Sequence, residues 1–486
     1  MGCPRAICFL LQNFFVYKCS ITFYTMTVNK AKVTERGSKS SPLVLMVAFP
    51  GEGHTNPLLV IATYLVKKDY EVVFVTTENF RNKVKEAGAE WIHTDNPMTN
   101  KTFQALRKAV ALPIGPERFA AQIKAVFLET LPSRTLKMEE VLSQLQARNP
   151  DRQIIVVEDV FNWSLFPFRH GRPLPQGFNA APESIGIGVA AFMMESQDTG
   201  PVSLGLPADA TDSGRQRNAV LQQLVERGPM KPMIDAWQQA MKDTGCTTIL
   251  ETNIFRSCYT AHDFTLQLCS PSLEYNISDL PPSVEFAGVL PRKSAAPSFQ
   301  HPPWWPEVER AQKDNQYRHV VFVSQGTVNM DYSELVLPTI EAFSKTKDIL
   351  VVATLGGRGA HLPQDFAVPS NARVVDYMPY DIMLEYTDVF VSNGGYGALT
   401  HAVRNGVPIV LAGESEEKIE VTMRAVYAGL GVSLSTQRPS TDQIRLGVDR
   451  IFQDTKFKKA AMKLKHENDG MDALAAVERK IRAITL

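Results

Sequence analysis

Asp388-Val-Phe-Val-Ser-Asn-Gly-Gly-Tyr-Gly-Ala-Leu-Thr-His-Ala-Val-Arg-Asn-Gly-Val-Pro-Ile-Val-Leu-Ala-Gly-Glu-Ser-Glu-Glu-Lys418 decides the fold. Val389 to Val391 is a short buried-strand signal that runs into a glycine-rich turn, Asn393-Gly394-Gly395-Tyr396-Gly397. Ala398 to Arg404 has helical spacing and closes at Asn405-Gly406, and Val407 to Leu411 is the next strand. A glycine turn between a strand and a helix start lets backbone N–H groups approach an anion, and the helix dipole favours negative charge there. Such turns also serve packing alone. Here the carboxylate-rich loop Gly413-Glu414-Ser415-Glu416-Glu417-Lys418 follows, at the C-terminal sheet edge where open α/β folds bind ligands. A phosphate seat beside groups that accept hydroxyl hydrogen bonds suits a nucleotide sugar.

Upstream, His319 to Ser324 is a strand running into Gln325-Gly326-Thr327, and a helix is expected from there to Thr346. Leu350 to Thr354 pairs with Gly356-Gly357-Arg358-Gly359, and Ala372 to Asp376 precedes Tyr377-Met378-Pro379-Tyr380. Further out, Leu43 to Phe49 is a continuous apolar run of the kind buried on both faces of a parallel sheet. It meets Pro50-Gly-Glu-Gly-His54-Thr-Asn-Pro57 and a helical repeat through Leu65. Strands are also expected over Glu71–Thr76, Ile154–Val157, Ile185–Phe192, Thr248–Asn253, Thr265–Cys269 and Val284–Phe286. Helices are expected over 98–148, 214–243 and near 419–428, with more from 441 to the end. The fold class is therefore α/β: two doubly wound Rossmann-like domains facing each other across a cleft. The divisions are a flexible leader at 1–41, an N-terminal domain at 42–287 and a proline-rich linker at 288–317. A C-terminal domain spans 318–460, and a last helix at 461–486 packs back toward the N-terminal domain.

A chain of 486 residues accommodates two such domains, and 44% hydrophobic content supports real cores. A formal net charge of zero gives no reason to expect nucleic acid. No apolar run reaches membrane-spanning length. Six cysteines, three of them in the first 19 residues, make neither a disulfide framework nor a metal site, so a reducing, cytoplasmic setting is expected. Ala6 to Tyr17 is apolar but interrupted by Gln12 and Asn13, and reads either as a weak signal peptide or membrane tether, or as a floppy leader or an upstream start that is not used in the cell. A chain starting at Met26 is expected to be active. Asn100-Lys-Thr102, Asn162-Trp-Ser164 and Asn276-Ile-Ser278 match the glycosylation pattern and matter only in a secreted protein.

The opening stretch resembles the donor-binding signature of the family 1 UDP-glycosyltransferases, nearest the bacterial- and fungal-type branch acting on small molecules. The resemblance covers residues 42–486, strongest over 319–431, and implies the GT-B fold. It implies an inverting hexosyltransferase with a UDP-sugar, UDP-glucose by family habit, as co-substrate. The acceptor would be a small lipophilic molecule with a hydroxyl, and no cofactor, no divalent metal and a monomeric chain are expected. Gly-His-Thr-Asn-Pro matches the segment that carries the family's base histidine, here His54, whose ordinary pKa near ~6.5 suits proton abstraction. The alternative is a cap on the helix beside it. Asp159 falls where the family orients that histidine; Glu158 is the rival by sequence alone.

Donor contacts implied by the resemblance are Gln325, Gly326, Thr327, Tyr377, Met378, Tyr380, Asn393, Gly394, Gly395, Tyr396, Gly397, Ala398, His401, Glu417 and Lys418. Tyr377 would stack on uracil or else pack in the core, and Met378 and Tyr380 would offer mainly backbone. Arg358 reads as a solvated charge or a phosphate contact. The chain departs from the family at Asn393 (often histidine), Ala398 (a hydroxyl residue), His401 (glutamate, toward ribose) and Lys418 (glutamine). The amides of Gly394 to Ala398 preserve the phosphate seat, whereas ribose recognition and the sugar's identity rest on altered residues. Phe- and Met-containing segments at 161–168 and 192–194 would line an apolar acceptor pocket. The rivals are a UDP-sugar epimerase or hydrolase on the same fold, and a catalytically idle nucleotide-sugar-binding subunit.

Overall fold

Thirteen strands form two parallel sheets in the computed structural model, which describes residues 41–248, 254–292, 299–311, 316–327 and 329–486. The leader, with its apolar stretch at 6–17, and most of the strand expected at Thr248–Asn253 lie outside the described residues. The first sheet holds β1 (Leu43–Val47), β2 (Glu71–Thr76), β3 (Glu90–His93), β4 (Ile154–Asp159), β5 (Ser184–Gly188), β6 (Phe264–Gln267) and β7 (Val284–Phe286). Their spatial order is β3-β2-β1-β4-β5-β6-β7. The second holds β8 (His319–Ser324), β9 (Ile349–Thr354), β10 (Ala372–Val375), β11 (Val389–Ser392), β12 (Ile409–Leu411) and β13 (Gly431–Ser433), ordered β10-β9-β8-β11-β12-β13. In each sheet the order reverses beside the first strand, at β1/β4 and at β8/β11. Those strand ends are where open α/β sheets bind their ligands.

The strands form because their residues are apolar on both faces. Every residue of β1, β4, β9 and β11 is buried, as expected of parallel strands covered by helices on each side. One apolar cluster packs β1, β2 and β4 against the helix Leu131–Arg148. Another packs the opposite face against the helix Glu52–Lys67 and against Ala473, Ala476, Val477 and Ile481 of the last helix, Ala473–Ile484. The preceding helix, Lys456–Asp469, instead packs on Tyr396–Asn405 of the second domain. Near its C-terminal end that helix already reaches back, Glu467 accepting from the Ser272 amide at 3.2 Å and Asn468 Oδ1 from the Val289 amide at 2.6 Å. Residues 41–486 form one compact unit, and a single apolar cluster runs from Phe161, Phe192 and Tyr259 of the first domain to Phe322, Phe390 and Tyr396 of the second.

Several boundaries differ from the sequence reading. β5 stops at Gly188 rather than Phe192, because the backbone beyond it bonds to side chains: the Met193 amide donates to the Tyr259 hydroxyl, and the Phe192 carbonyl accepts from Arg424. β6 ends at Gln267, short of Cys269. The helix expected from Thr327 to Thr346 is only Val336–Phe343, since Gln325 Oε1 accepts from the Leu335 and Val336 amides and caps the chain there. The linker carries a helix, Trp305–Ala311, whose Trp305 packs on Tyr386. Asn162 is buried, its amide donating to Glu158 and Ser164, so that triplet is inaccessible. Among the described residues no helix is long and apolar enough to cross a membrane.

Candidate active site

β1 and β4 are neighbours in register, Val47 beside Glu158, so the segment after β1 meets the end of β4. After Phe49 the chain turns at Pro50-Gly51, and His54 falls in the first turn of the helix Glu52–Lys67. Its Nδ1 lies 2.7 Å from Oδ2 of Asp159, the last residue of β4. Asp159 is completely buried and also accepts from the Phe49 amide at 3.3 Å and the Phe161 amide at 3.0 Å. A carboxylate accepts, so Nδ1 carries the proton of the neutral ring and Nε2 keeps its lone pair in that form.

Burial of His54 opposes the charged imidazole. The charge and hydrogen bond of Asp159 and the charge of Glu417 outweigh it, with Arg134 opposing them, and the pKa lies above the ordinary histidine value. Phe49, Phe127 and Phe161 wall the ring at centroid distances of 5.7, 6.1 and 6.3 Å. Glu158, the rival carboxylate, does not reach His54. It accepts from the Ser164 amide and hydroxyl at 2.8 and 2.7 Å and from Asn162 at 2.8 Å, so it holds the turn that follows Asp159. Burial raises its pKa.

Across the crevice, Asn393 to Gly395 lead from β11 into the helix Tyr396–Asn405, whose first turn has no side-chain cap. Gly394 takes φ +82°, open to glycine, and a Cβ on Gly413 would sit 2.0 Å from the Asn393 carbonyl oxygen. The turn and the Gly413–Lys418 loop are therefore in contact. Asn393 Nδ2 donates to the Gln325 carbonyl at 2.6 Å, and Gln325 Nε2 to the Asp331 carbonyl at 2.9 Å. The Gln325 side chain is thus committed to the fold rather than free for a donor. Gly326 takes φ +76°, and Thr327 beside it is exposed at this edge.

Tyr377 is 39% exposed, so its ring is not core, and the Arg358 guanidinium lies 5.3 Å over it. Arg358 is accordingly not a lone solvated charge. Met378 is buried among core residues. Tyr380 contributes more than backbone: its hydroxyl is 2.6 Å from Ser324 Oγ and its ring meets His401 at 5.3 Å. His401 Nδ1 is 2.8 Å from Asp381 Oδ1, and Arg404 and Asn405 also bond Asp381.

The side chains of Tyr396 and Lys418 are engaged by other protein groups. The Tyr396 hydroxyl accepts from Gln267 Nε2 at 2.9 Å, so its side chain joins the two domains. Gly397 follows it in that first turn, and Ala398 is buried in the apolar cluster linking the sheets. Lys418 Nζ bonds Ser415, at 2.9 Å, and Glu416, within its own loop. Gln122 of the first domain reaches Glu416 at 3.4 Å. Glu417 precedes the helix Lys418–Tyr427 and is close enough for its charge to act on His54. Of the expected acceptor lining, Phe161 walls the base, whereas Phe192, Met193 and Met194 are buried core.

Residues the sequence reading missed include Phe127, set on a π-helical turn at Lys124–Leu128, and the buried contact between the domains. Arg424 Nε donates to Glu274 at 2.5 Å and Nη1 to Glu420 at 3.0 Å, while Glu420 accepts from the Ser203 and Gly205 amides. In the sequence, Glu420 and Arg424 look like an ordinary i,i+4 helix pair.

Residues 343–483 match the model of the erythromycin biosynthesis protein CIII-like C-terminal domain. UDP-glucosyltransferase 1 of Beauveria bassiana (strain ARSEF 2860) is 36% identical over 447 residues, 91% of this chain and 95% of that protein. UDP-glucosyltransferase A1 of Starmerella bombicola is 33% identical over 452 residues, covering 92% and 93%. Among solved structures, the glycosyltransferase of kitacinnamycin superposes with a TM-score of 0.65 at 20% identity, over 91% of this chain and 98% of that one, a likeness of fold. With both sheets, the paired His54 and Asp159 and near full-length relatives in hand, the chain belongs to the family 1 UDP-glycosyltransferases.

Proposed function

We propose that this enzyme moves a hexose, glucose by the names of its relatives, from a UDP-sugar to a hydroxyl of a small lipophilic acceptor with inversion. The observation that carries the reading is the 2.7 Å contact between His54 Nδ1 and a completely buried Asp159. With Nδ1–H donated to Asp159, Nε2 accepts the acceptor's hydroxyl proton. The acceptor oxygen forms a bond to the anomeric carbon as the bond from that carbon to the diphosphate oxygen breaks. UDP leaves with the electron pair and the configuration inverts. Backbone amides at the start of the helix Tyr396–Asn405, and its dipole, receive the negative charge that develops on the leaving group.

Residues 42–287 would bind the acceptor against Phe49, Phe127 and Phe161, and residues 318–460 would bind the donor. Tyr377, with its exposed ring, suits uracil; His401 and Asp381 lie near Tyr380 on the side assigned to ribose. Glu417, whose charge acts on His54, would accept sugar hydroxyls. The test is UDP release from UDP-glucose against a panel of phenols and sterols, with mass spectrometry and anomeric NMR of the products. A β-glucoside supports the reading. UDP release without a glycoside would favour hydrolysis, an altered UDP-sugar would favour epimerisation, and UDP binding without turnover would favour an idle binding subunit.

A further inference from the structure

The helix Leu131–Arg148 covers the first sheet with an apolar face, yet Arg134 in its first turn is only 8% exposed. A guanidinium in such a place is costly unless its N–H groups are satisfied. Here Nε donates to Thr130 Oγ1 at 3.3 Å, Nη2 to the Phe127 carbonyl at 2.5 Å, and Nη1 to the Asn162 carbonyl and, at 3.3 Å, to Asn162 Oδ1. The guanidinium carbon also lies 5.4 Å over the Phe49 ring. Phe49, Phe127 and the turn after Asp159 are the three walls of His54, and they come from three separate parts of the chain. One planar cation touches all three.

We propose that Arg134 is a positioning residue for glycosyl transfer: by joining the Phe127 carbonyl to the Asn162 carbonyl it holds the aromatic wall and the Asp159–Ser164 turn as one body around His54. The inference rests on the reading of His54 and Asp159 as the base pair. Lysine cannot take over the task, because an ammonium is a point donor where the guanidinium is a fixed fork. The charge has a second effect. The charged groups that act on His54 are Asp159 at the end of β4, Glu417 ahead of the helix Lys418–Tyr427, and Arg134, which adds to burial in opposing its protonation. Arg134 itself faces Glu158 and Asp159.

The test compares the full chain carrying Arg134→Met or Arg134→Lys with wild type, reading kcat across pH, KM for the UDP-sugar and UDP affinity by calorimetry. His54→Ala is measured alongside. Misplacement of the base by an ångström or less is expected to lower kcat roughly 10- to 100-fold in both variants, with UDP affinity unchanged. The acid limb of the pH profile is expected to move to higher pH in Arg134→Met and to stay in place in Arg134→Lys. Wild-type kcat in either variant, or an unmoved limb in Arg134→Met, would overturn the proposal. If the methionine variant does not fold, the lysine variant decides by kcat and UDP affinity. Should His54→Ala keep wild-type transfer, the base reading itself fails; an inactive His54→Ala beside fully active Arg134 variants removes the positioning role alone.

Discussion

Asp159→Asn replaces one atom, and the surroundings of that atom set the outcome. Oδ2 accepts from His54 Nδ1 and the Phe49 amide, and Oδ1 accepts from the Phe161 amide. An asparagine has one oxygen and one NH2 for these two places. With the NH2 in the Oδ2 place, it faces the Phe49 N–H and forces His54 to accept at Nδ1. The proton then sits on Nε2, and the base is lost. With the NH2 in the Oδ1 place, it faces the Phe161 N–H, leaving two buried donors opposed at a cost of about 1–3 kcal/mol. Either way the imidazolium that forms during transfer loses its counter-charge. A wrong tautomer of this kind costs about three to four orders of magnitude in kcat, roughly 4–5.5 kcal/mol of barrier. The pH profile supplies an independent reading. Transfer requires neutral His54, so kcat/KM of the wild type falls as pH drops through a pKa raised above its ordinary value. Removing the Asp159 charge leaves burial dominant, and the limb is expected to move to lower pH. UDP release measured with saturating acceptor, together with calorimetric UDP affinity, separates chemistry from donor binding. Transfer within about threefold of wild type, or an unmoved limb, would refute the pairing as the source of activity.

Glu417→Ala is expected to cut transfer by at least about tenfold, since one charge-assisted bond contributes roughly 1.5–3 kcal/mol, with UDP affinity unchanged; parallel losses of both would make it a structural residue. Tyr377→Ala should weaken UDP binding by about fivefold, near 1 kcal/mol for a half-exposed stacking ring, as read by calorimetry; an unchanged Kd would move uracil elsewhere. Glu274→Gln leaves Arg424 with Glu420 as its remaining carboxylate partner and is expected to destabilise the fold by roughly 1.5–3 kcal/mol in denaturant unfolding, where a change below about 0.5 kcal/mol would show the contact between domains to be dispensable.

The sheets were legible because parallel strands announce themselves as unbroken apolar runs. Leu43–Val47, His319–Ser324 and Val389–Ser392 are buried throughout or nearly so, and their sequences contain no alternation to mislead. His54 and Asp159 were legible as a pair through the resemblance. The backbone alone could not choose between Asp159 and Glu158, adjacent carboxylates on one strand. Alternation decides it: one points to the base, and the other turns back to bond Ser164 and Asn162.

What was not legible depends on contacts between residues far apart in the chain. Tyr396 sits inside the phosphate-seat motif, yet its hydroxyl meets Gln267, 129 residues away. Arg424 bonds the Phe192 carbonyl across 232 residues, which ends β5 early and turns an apparent pocket lining into core. No local pattern encodes either contact, because each exists only after two sheets have formed and met. The same holds for His54, whose protonation is biased by Asp159 from its own domain and by Glu417 from the other. Residues that fasten the domains and residues that tune the base therefore lie on the same few elements. Glu417 and Glu420 lie at the start of one helix, the charge of the first raising the pKa of His54 and the second accepting from Ser203 and Gly205. Loosening that helix would be felt in the chemistry as well as in the stability, since it carries Glu420 and Arg424 of the contact between the domains and begins directly after the carboxylate whose charge acts on His54.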